Sequence, residues 1–280
     1  SARGNGLGIM DFSNPDSPEL LSTISEFTID EEIEDRLIDT LFSFSNGTTL
    51  FVSDGTYVLV ALDITDRRAP AYRDYVFLGS HIEDMLIRDD VLILAQGTSG
   101  ISLFDISDTS EMTQLSNFAT QSADLDEDGV NEYTYRLTFA YSLMRNGDIL
   151  YVADGDGFDV LDISDTEAIT AVHDYESSFV LTDIILDGDI MYGAESINGL
   201  SIYDVSSTEE STFISAFNDG GYTLDMIVSG DQLITCDLYR GVRVLDITDR
   251  ANPELLATVN AEGIQVGAVA IGNYLYVANT

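Results

Sequence analysis

The sequence predicts an all-β chain, a six-bladed β-propeller with four antiparallel strands per blade and a last blade shared between the N- and C-terminal ends. Three observations predict it. A unit of about 42 residues recurs six times. Each copy alternates short β-rich runs with Gly and Asp corners. The two ends of the chain read as complementary parts of one unit.

The clearest mark of the repeat is Asp, then a β-former, then Ser or Thr. It stands at Asp11-Phe-Ser13, Asp63-Ile-Thr65, Asp105-Ile-Ser107, Asp162-Ile-Ser164, Asp204-Val-Ser206 and Asp246-Ile-Thr248. Successive Asp positions differ by 52, 42, 57, 42 and 42, so the unit carries two insertions of 10 and 15 residues. The insertions cover about 28–38 and 119–136 of a single domain spanning 1–280.

Each mark closes a strand, as in Ile101-Ser-Leu-Phe104 and Val242-Arg-Val-Leu245. Apolar residues fall on both faces of these runs, which predicts sheets covered on both sides. Before each mark lies a pair of β-rich runs around a Gly-Asp or Asp-Asp corner, a hairpin signal. A weaker run follows the mark. The unit is therefore strand A, hairpin, strand B, Gly-containing loop, strand C, turn and strand D. The acidic stretch 31–38 reads as one short helical turn inside the first insertion. The chain ends on a strand B, Tyr274-Leu-Tyr-Val-Ala-Asn-Thr280, and begins on a strand C, Gly6-Leu-Gly-Ile-Met-Asp11. A blade shared between them leaves no loose edge.

Composition narrows the function. Fifty acidic residues stand against 11 basic ones, all Arg, for a net charge of −39. Such a field repels phosphate backbones and anionic membrane surfaces, attracts cations and suits saline surroundings. Nucleic-acid partners are excluded on this ground. No apolar run is long enough for a transmembrane helix, so membrane insertion is not expected. Cys236, the lone cysteine, reads as a small core residue. No signal peptide is legible, and the opening on Ser1 reads as a trimmed or processed piece of a longer protein.

One motif carries metal chemistry. Asp124-Leu-Asp126-Glu-Asp128-Gly-Val130-Asn-Glu132 spaces carboxylates at alternate positions, with a Gly for the sharp turn and a carbonyl at Val130. That pattern suits Ca²⁺, bound structurally by Asp124, Asp126, Asp128, Val130 and Glu132. Tyr135 stands where an EF-hand has its closing Glu, so the loop looks more like the nine-residue calcium loops of integrin-type propellers. Asp154-Gly-Asp156-Gly-Phe-Asp159 is a weaker candidate, since turns favour those residues anyway.

Asp84, Asp183 and Asp225 begin strand A in three copies, and Ser142, Gly267 and Ser43 hold the same place in the others. Strand A of a propeller lines its channel, so the three Asp residues form a candidate cation site at the channel mouth. His81, near Glu83 and Asp84, could join it. Local capping of the strands by Asp is the plainer reading. The recurrence of the six marker Asp residues likewise points to structure rather than catalysis. The sequence holds no nucleophile elbow, phosphate loop or haem motif, so catalytic and cofactor-binding residues are none.

The Leu/Ile-Tyr-Val-Ala runs at 150–153 and 275–278, the six marks, and the Asn-Pro-Glu-Leu after Asp246 resemble the LVIVD-repeat propellers over essentially the whole chain. The resemblance implies the propeller fold and a place on the cell surface or outside the cell. It implies no shared chemistry. The expected function is therefore a non-catalytic extracellular or cell-surface module. Its loop-decorated face, with Tyr133 and Tyr135 beside the calcium loop, would bind a protein or a glycan or build a homo-assembly. The alternatives are a metal-dependent hydrolase or lactonase at the channel mouth, and a structural subunit of a filament or surface layer.

Overall fold

The computed structural model describes residues 7–14, 16–24, 26–30, 33–36, 40–54, 57–119, 121–123, 132–135, 137, 139–177, 179–218, 220–238, 240–260, 265–272 and 274–279. The chain divides into two compact units, Ser1–Phe118 and Ala119–Thr280.

In the first unit β1 (Leu7–Asp11) pairs with β2 (Glu19–Ile24), and β3 (Glu26–Asp30) with β4 (Ile33–Arg36). Two four-stranded antiparallel sheets follow, each in sequential strand order. The first holds β5 (Thr40–Ser45), β6 (Thr49–Asp54), β7 (Val58–Asp63) and β8 (Ala71–Phe77). The second holds β9 (Asp84–Arg88), β10 (Val91–Ala95), β11 (Ile101–Asp105) and β12 (Thr113–Phe118).

The second unit opens with the pair β13 (Gln121–Ala123) and β14 (Glu132–Tyr135). Three four-stranded sheets come next. They are β15 (Ser142–Asn146), β16 (Ile149–Asp154), β17 (Gly157–Asp162) and β18 (Thr170–Glu176); β19 (Asp183–Asp187), β20 (Ile190–Ala194), β21 (Leu200–Asp204) and β22 (Thr212–Phe217); and β23 (Thr223–Ser229), β24 (Gln232–Asp237), β25 (Gly241–Asp246) and β26 (Glu254–Val259). The pair β27 (Gln265–Ile271) and β28 (Tyr274–Asn279) ends the chain. Among the described residues the only helical element is a 3₁₀ turn, Ser196–Asn198.

The predicted unit of strands A to D is thus present as five complete sheets, with β1–β2 and β27–β28 as separate two-stranded sheets. The short helical turn expected at 31–38 is not formed. Ile33–Arg36 is a strand, with Arg36 in register opposite Glu26. Cross-strand pairing gives the backbone of this acidic segment partners that one isolated helical turn does not supply.

Strand C explains the apolar double face. In β7, Val60 and Leu62 join one cluster with Leu7, Ile24 and Val52. Leu59 and Ala61 join another with Leu92, Leu94 and Phe104 of the next sheet. Period-two alternation therefore feeds two cores from one strand. The second unit repeats this: Ile184, Met191 and Tyr203 pack on Tyr151 and Val160, while Tyr192, Leu200 and Ile202 pack on Leu233 and Leu245. Each fully buried Leu or Ile contributes about 2–3 kcal/mol by area.

The marker triplet has a geometric reason for each residue. The Asp carboxylate accepts the N–H two residues on in all six copies, at 2.7–2.9 Å. The middle residue donates its N–H to the A–B turn in five of them, as Ile106 does to Asp90 and Ile247 to Asp231. Its side chain is buried at Ile64, Ile106, Ile163, Val205 and Ile247. Just before each marker Asp the C–D pairing carries a β-bulge, at Ile9/Met10, Ala61/Leu62, Leu103/Phe104, Val160/Leu161, Ile202/Tyr203 and Val244/Leu245. A bulge bends and twists its strand, and it stands at the same place before the corner in each copy. Five of the A–B turns take a left-handed residue in first position, Gly147, Gly188, Gly230, Gly272 and, in one copy, Asp89.

Hydrogen bonds at these corners lower several carboxyl pKa values. The hydroxyl and N–H of Thr65, then Arg73, hold Asp63 down to about 2. Ser107 lowers Asp105, Ser206 lowers Asp204 and Thr248 lowers Asp246 in the same way. Depressed folded-state values mean stability that is complete above the unfolded value near 4 and is lost as pH falls toward 2. Urea denaturation across that window is expected to show a falling midpoint. Replacing Asp105 and Asp246 by Asn, which keeps an acceptor but cannot titrate, is expected to flatten the slope. At neutral pH added NaCl is expected to raise the melting temperature, because the net charge of −39 repels itself.

Candidate binding clefts

Residues 124–131 of the expected calcium loop lie outside the described residues. Their flanks are described: Ala123 stands opposite Glu132 across β13 and β14, and Tyr133 and Tyr135 lie on β14. Among the described residues no three His, Cys, Asp or Glu side chains gather closely enough to hold a metal ion.

The strand A carboxylates make local and inter-sheet bonds. Asp84 accepts the N–H of Met85 at 2.7 Å, and Asp225 that of Met226 at 2.9 Å. The other oxygen of Asp225 accepts the N–H of Ala268 on β27 at 2.7 Å. Asp183 accepts the hydroxyl of Ser142 on β15 at 2.9 Å. In the second unit these residues join strand A of one sheet to strand A of the next. Burial raises the Asp225 carboxyl against the pull of those two N–H groups. Ser43 stands opposite Val52, one step from the expected place opposite Ser53, because the β5–β6 pairing slips between Thr40 and Ser43.

His81 is exposed with its ring against Tyr57, centroids 4.5 Å apart. Asp154 accepts the N–H of Asp156 at 3.0 Å, a turn role, and both Asp154 and Asp159 are buried. Cys236 is a buried thiol, pushed up to about 12 chiefly by that burial.

The clefts lie elsewhere, where the B–C end of one sheet meets strand D of the sheet before it. Three repeat positions meet there: the residue after strand B or ending it, the third residue before the marker Asp, and a strand D residue of the preceding sheet. In the β9–β12 copy these are Gln96, Ser102 and Val76. The cleft, of about 190 Å³, is lined by amides and hydroxyls together with Phe77 and Phe104. Asn117 donates to Ser102 at 3.0 Å and to the carbonyls of Ser99 and Ile101 at 3.1 Å. Gln96 donates to Ser80 at 3.1 Å.

In the β19–β22 copy the three residues are Glu195, Ser201 and Tyr175. The cleft is about 240 Å³, and Phe179, Tyr203 and Phe213 also line it. Glu195 Oε1 accepts from Ser201 at 2.5 Å and from Tyr203 at 3.2 Å. Among the described residues none donates a hydrogen bond to Oε2. Tyr203 stands edge-on to Tyr175 at 5.1 Å and to Phe213 at 5.8 Å, and Tyr175 stacks on Phe158 at 5.0 Å. Burial pushes the Tyr203 phenol above its ordinary range, so it stays a neutral donor.

In the β23–β26 copy the residues are Asp237, Arg243 and Phe217. Arg243 meets Asp237 at 3.1 Å, with side-chain exposures of 1% and 0%. Its guanidinium stands 5.8 Å from the centre of the Phe217 ring. Gly221 makes room for the pair: a Cβ there would fall 2.0 Å from Asp237 Oδ2.

The LVIVD repeat family matches residues 2–25, 140–176 and 220–261. These stretches are LVIVD repeats. They contain β1–β2, β15–β18 and β23–β26, while the two sheets with open clefts lie outside the matches. Among curated proteins no sequence match is found. Solved structures share the fold. The β-propeller domain of Cps50 (Swd1) from Myceliophteria thermophila is 11% identical with a TM-score of 0.60, over 79% of this chain and 72% of that one. BamB from Moraxella catarrhalis is 16% identical with a TM-score of 0.55, over 88% and 82%. A chain of a mitotic checkpoint complex is 9% identical with a TM-score of 0.66, over 98% and 82%. The LVIVD repeats thus build a β-propeller fold. No helix among the described residues is long and apolar enough to cross a membrane.

The sequence signal for the clefts was the variation of one strand C position, Ser102, Asp159, Ser201 and Arg243, inside an otherwise regular repeat. Breaking the buried pair tests how the closed copy is held. Asp237→Ala leaves Arg243 buried without its carboxylate and is expected to cost about 3–5 kcal/mol in urea unfolding. Gly221→Ala is expected to destabilise as well, by about 1–3 kcal/mol, through overpacking.

Proposed function

We propose that the chain is a non-catalytic extracellular binding module. The observation that carries this reading is the cleft between neighbouring sheets. It recurs at one place in the four-stranded unit with three chemistries: neutral amides, aromatics with a carboxylate, and a closed ion pair. A scaffold that holds its geometry while varying one pocket is suited to recognition. A protein or glycan is the proposed partner. The amide and hydroxyl cleft suits a neutral polar ligand such as a sugar. The fold likeness to a chain of a mitotic checkpoint complex supports a protein partner by analogy alone.

In this reading the propeller has six blades. The sixth takes strands A and B from β27 and β28, and C and D from β1 and β2, because each pair lacks what the other has. Ca²⁺ held by Asp124, Asp126, Asp128, the Val130 carbonyl and Glu132 orders the second insertion. The register of Ala123 against Glu132 supports this by placing the two flanks together. The acidic, lysine-free composition and the LVIVD resemblance support a place outside the cell.

A glycan and peptide array probed with wild type, Asn117→Ala and Phe213→Ala tests the binding reading. Each variant is expected to lose the ligands of its own cleft, and array signals identical in all three would overturn it. For the loop, 1 mM Ca²⁺ against EDTA is expected to raise the melting temperature by about 5 °C. Asp128→Asn is expected to remove that rise.

A further inference from the structure

We infer that the β19–β22 cleft binds a guanidinium cation supplied from outside the protein. The inference rests on the reading of the chain as a binding module and names a ligand class for one of its clefts. The protein itself contains the precedent. In the next sheet the same three positions hold an aromatic ring, a carboxylate and a guanidinium: Phe217, Asp237 and Arg243. In the β19–β22 sheet the ring and the carboxylate are retained as Tyr175 and Glu195, but Ser201 replaces the arginine. Register confirms the equivalence. Tyr175 pairs with Phe158 and Phe217 with Leu200, each four residues before a marker Asp. Ser201 and Arg243 both stand three before theirs.

With serine in place of the long side chain, this cleft holds about 240 Å³ of open space. The electrostatics remain those of a cation site. Glu195 is 5% exposed and brings a carboxylate against aromatic walls. Ser201 and Tyr203 both donate to Oε1, which fixes the carboxylate in place. A guanidinium entering the cleft meets this carboxylate and the Tyr175 ring, the same pair of contacts that Arg243 makes internally. The β9–β12 cleft is an internal contrast. There Val76 stands in place of the ring and Gln96 in place of the carboxylate, so that cleft keeps Phe77 and Phe104 in its lining but has no carboxylate for a cation.

Calorimetric titration with methylguanidinium, and with methylurea as its uncharged isostere, tests the inference. Methylguanidinium is expected to bind, and methylurea to bind at least about tenfold more weakly. Glu195→Gln is expected to weaken methylguanidinium by about tenfold, and Tyr175→Leu by several-fold. Ser201→Arg installs the occupant that the neighbouring repeat carries and is expected to abolish binding while circular dichroism stays native. If that variant fails to fold, Glu195→Gln and the isostere comparison still decide. Equal binding of methylurea and methylguanidinium, or no response to Glu195→Gln, overturns the cation assignment while array ligands of the other cleft leave the binding module standing. A short arginine peptide that binds more tightly than methylguanidinium supports a protein-borne source, and equal affinity supports a free solute.

Discussion

The structure depends on the corner between strands C and D. There one carboxylate accepts the backbone N–H two residues on, and the residue between them ties its own N–H to the A–B turn. These two bonds satisfy groups that would otherwise be stranded where two strands end. They also join the two turns at one end of each sheet. The bulge that precedes the corner then sets the departure of strand D, and strand D forms one wall of every cleft. Removing the corner would therefore disturb both the sheet and the place where ligands are proposed to sit.

Packing follows from the same unit. In the β5–β8 and β19–β22 sheets strand C is covered on both faces, so each of these sheets is a shared wall between two cores rather than the lid of one. Polar ties reinforce the stacking within each unit. Ser22 reaches the carbonyl of Arg67, Asp74 the N–H of Met112, and Ser215 the carbonyl of Arg250. These bonds run from strand D of one sheet to the region just before strand D of the next. Asp225 and Asp183 do the same work at strand A. Carboxylates that attract attention as a possible cation ring are, in the second unit, also fasteners between neighbouring sheets.

Much of this was legible in the residues. The marker spacing located every strand C, and the Gly-Asp corners located the A–B hairpins, because turn chemistry and period-two burial are local signals. The slip at Ser43 was not legible, since a bulge in β5 depends on pairing and not on composition. Nor was the strand at Ile33–Arg36, where pairing overrides a charged stretch with no strong preference of its own. The clefts were hidden for a different reason. Tyr175 belongs to a different sheet from Glu195 and Ser201, so only stacking of the sheets brings the three together. Read along the chain, Arg243 is an unusual charge in a buried strand. Read across the sheets, it is the filled version of a site that the preceding repeat leaves open.

The locked corners also give each sheet two unlike ends. The A–B and C–D turns are bound to one another and share a regular chemistry. The opposite end carries the B–C loops, the clefts and both hairpin insertions, β3–β4 and β13–β14. The bonds that assemble each sheet and the clefts proposed for recognition therefore lie at opposite ends of the same sheets. A chain built this way can exchange loops, lengthen them or refill a cleft by one substitution without rewriting the instructions that assemble it. As a protein-engineering scaffold it comes with its variable face already separated from its foundations.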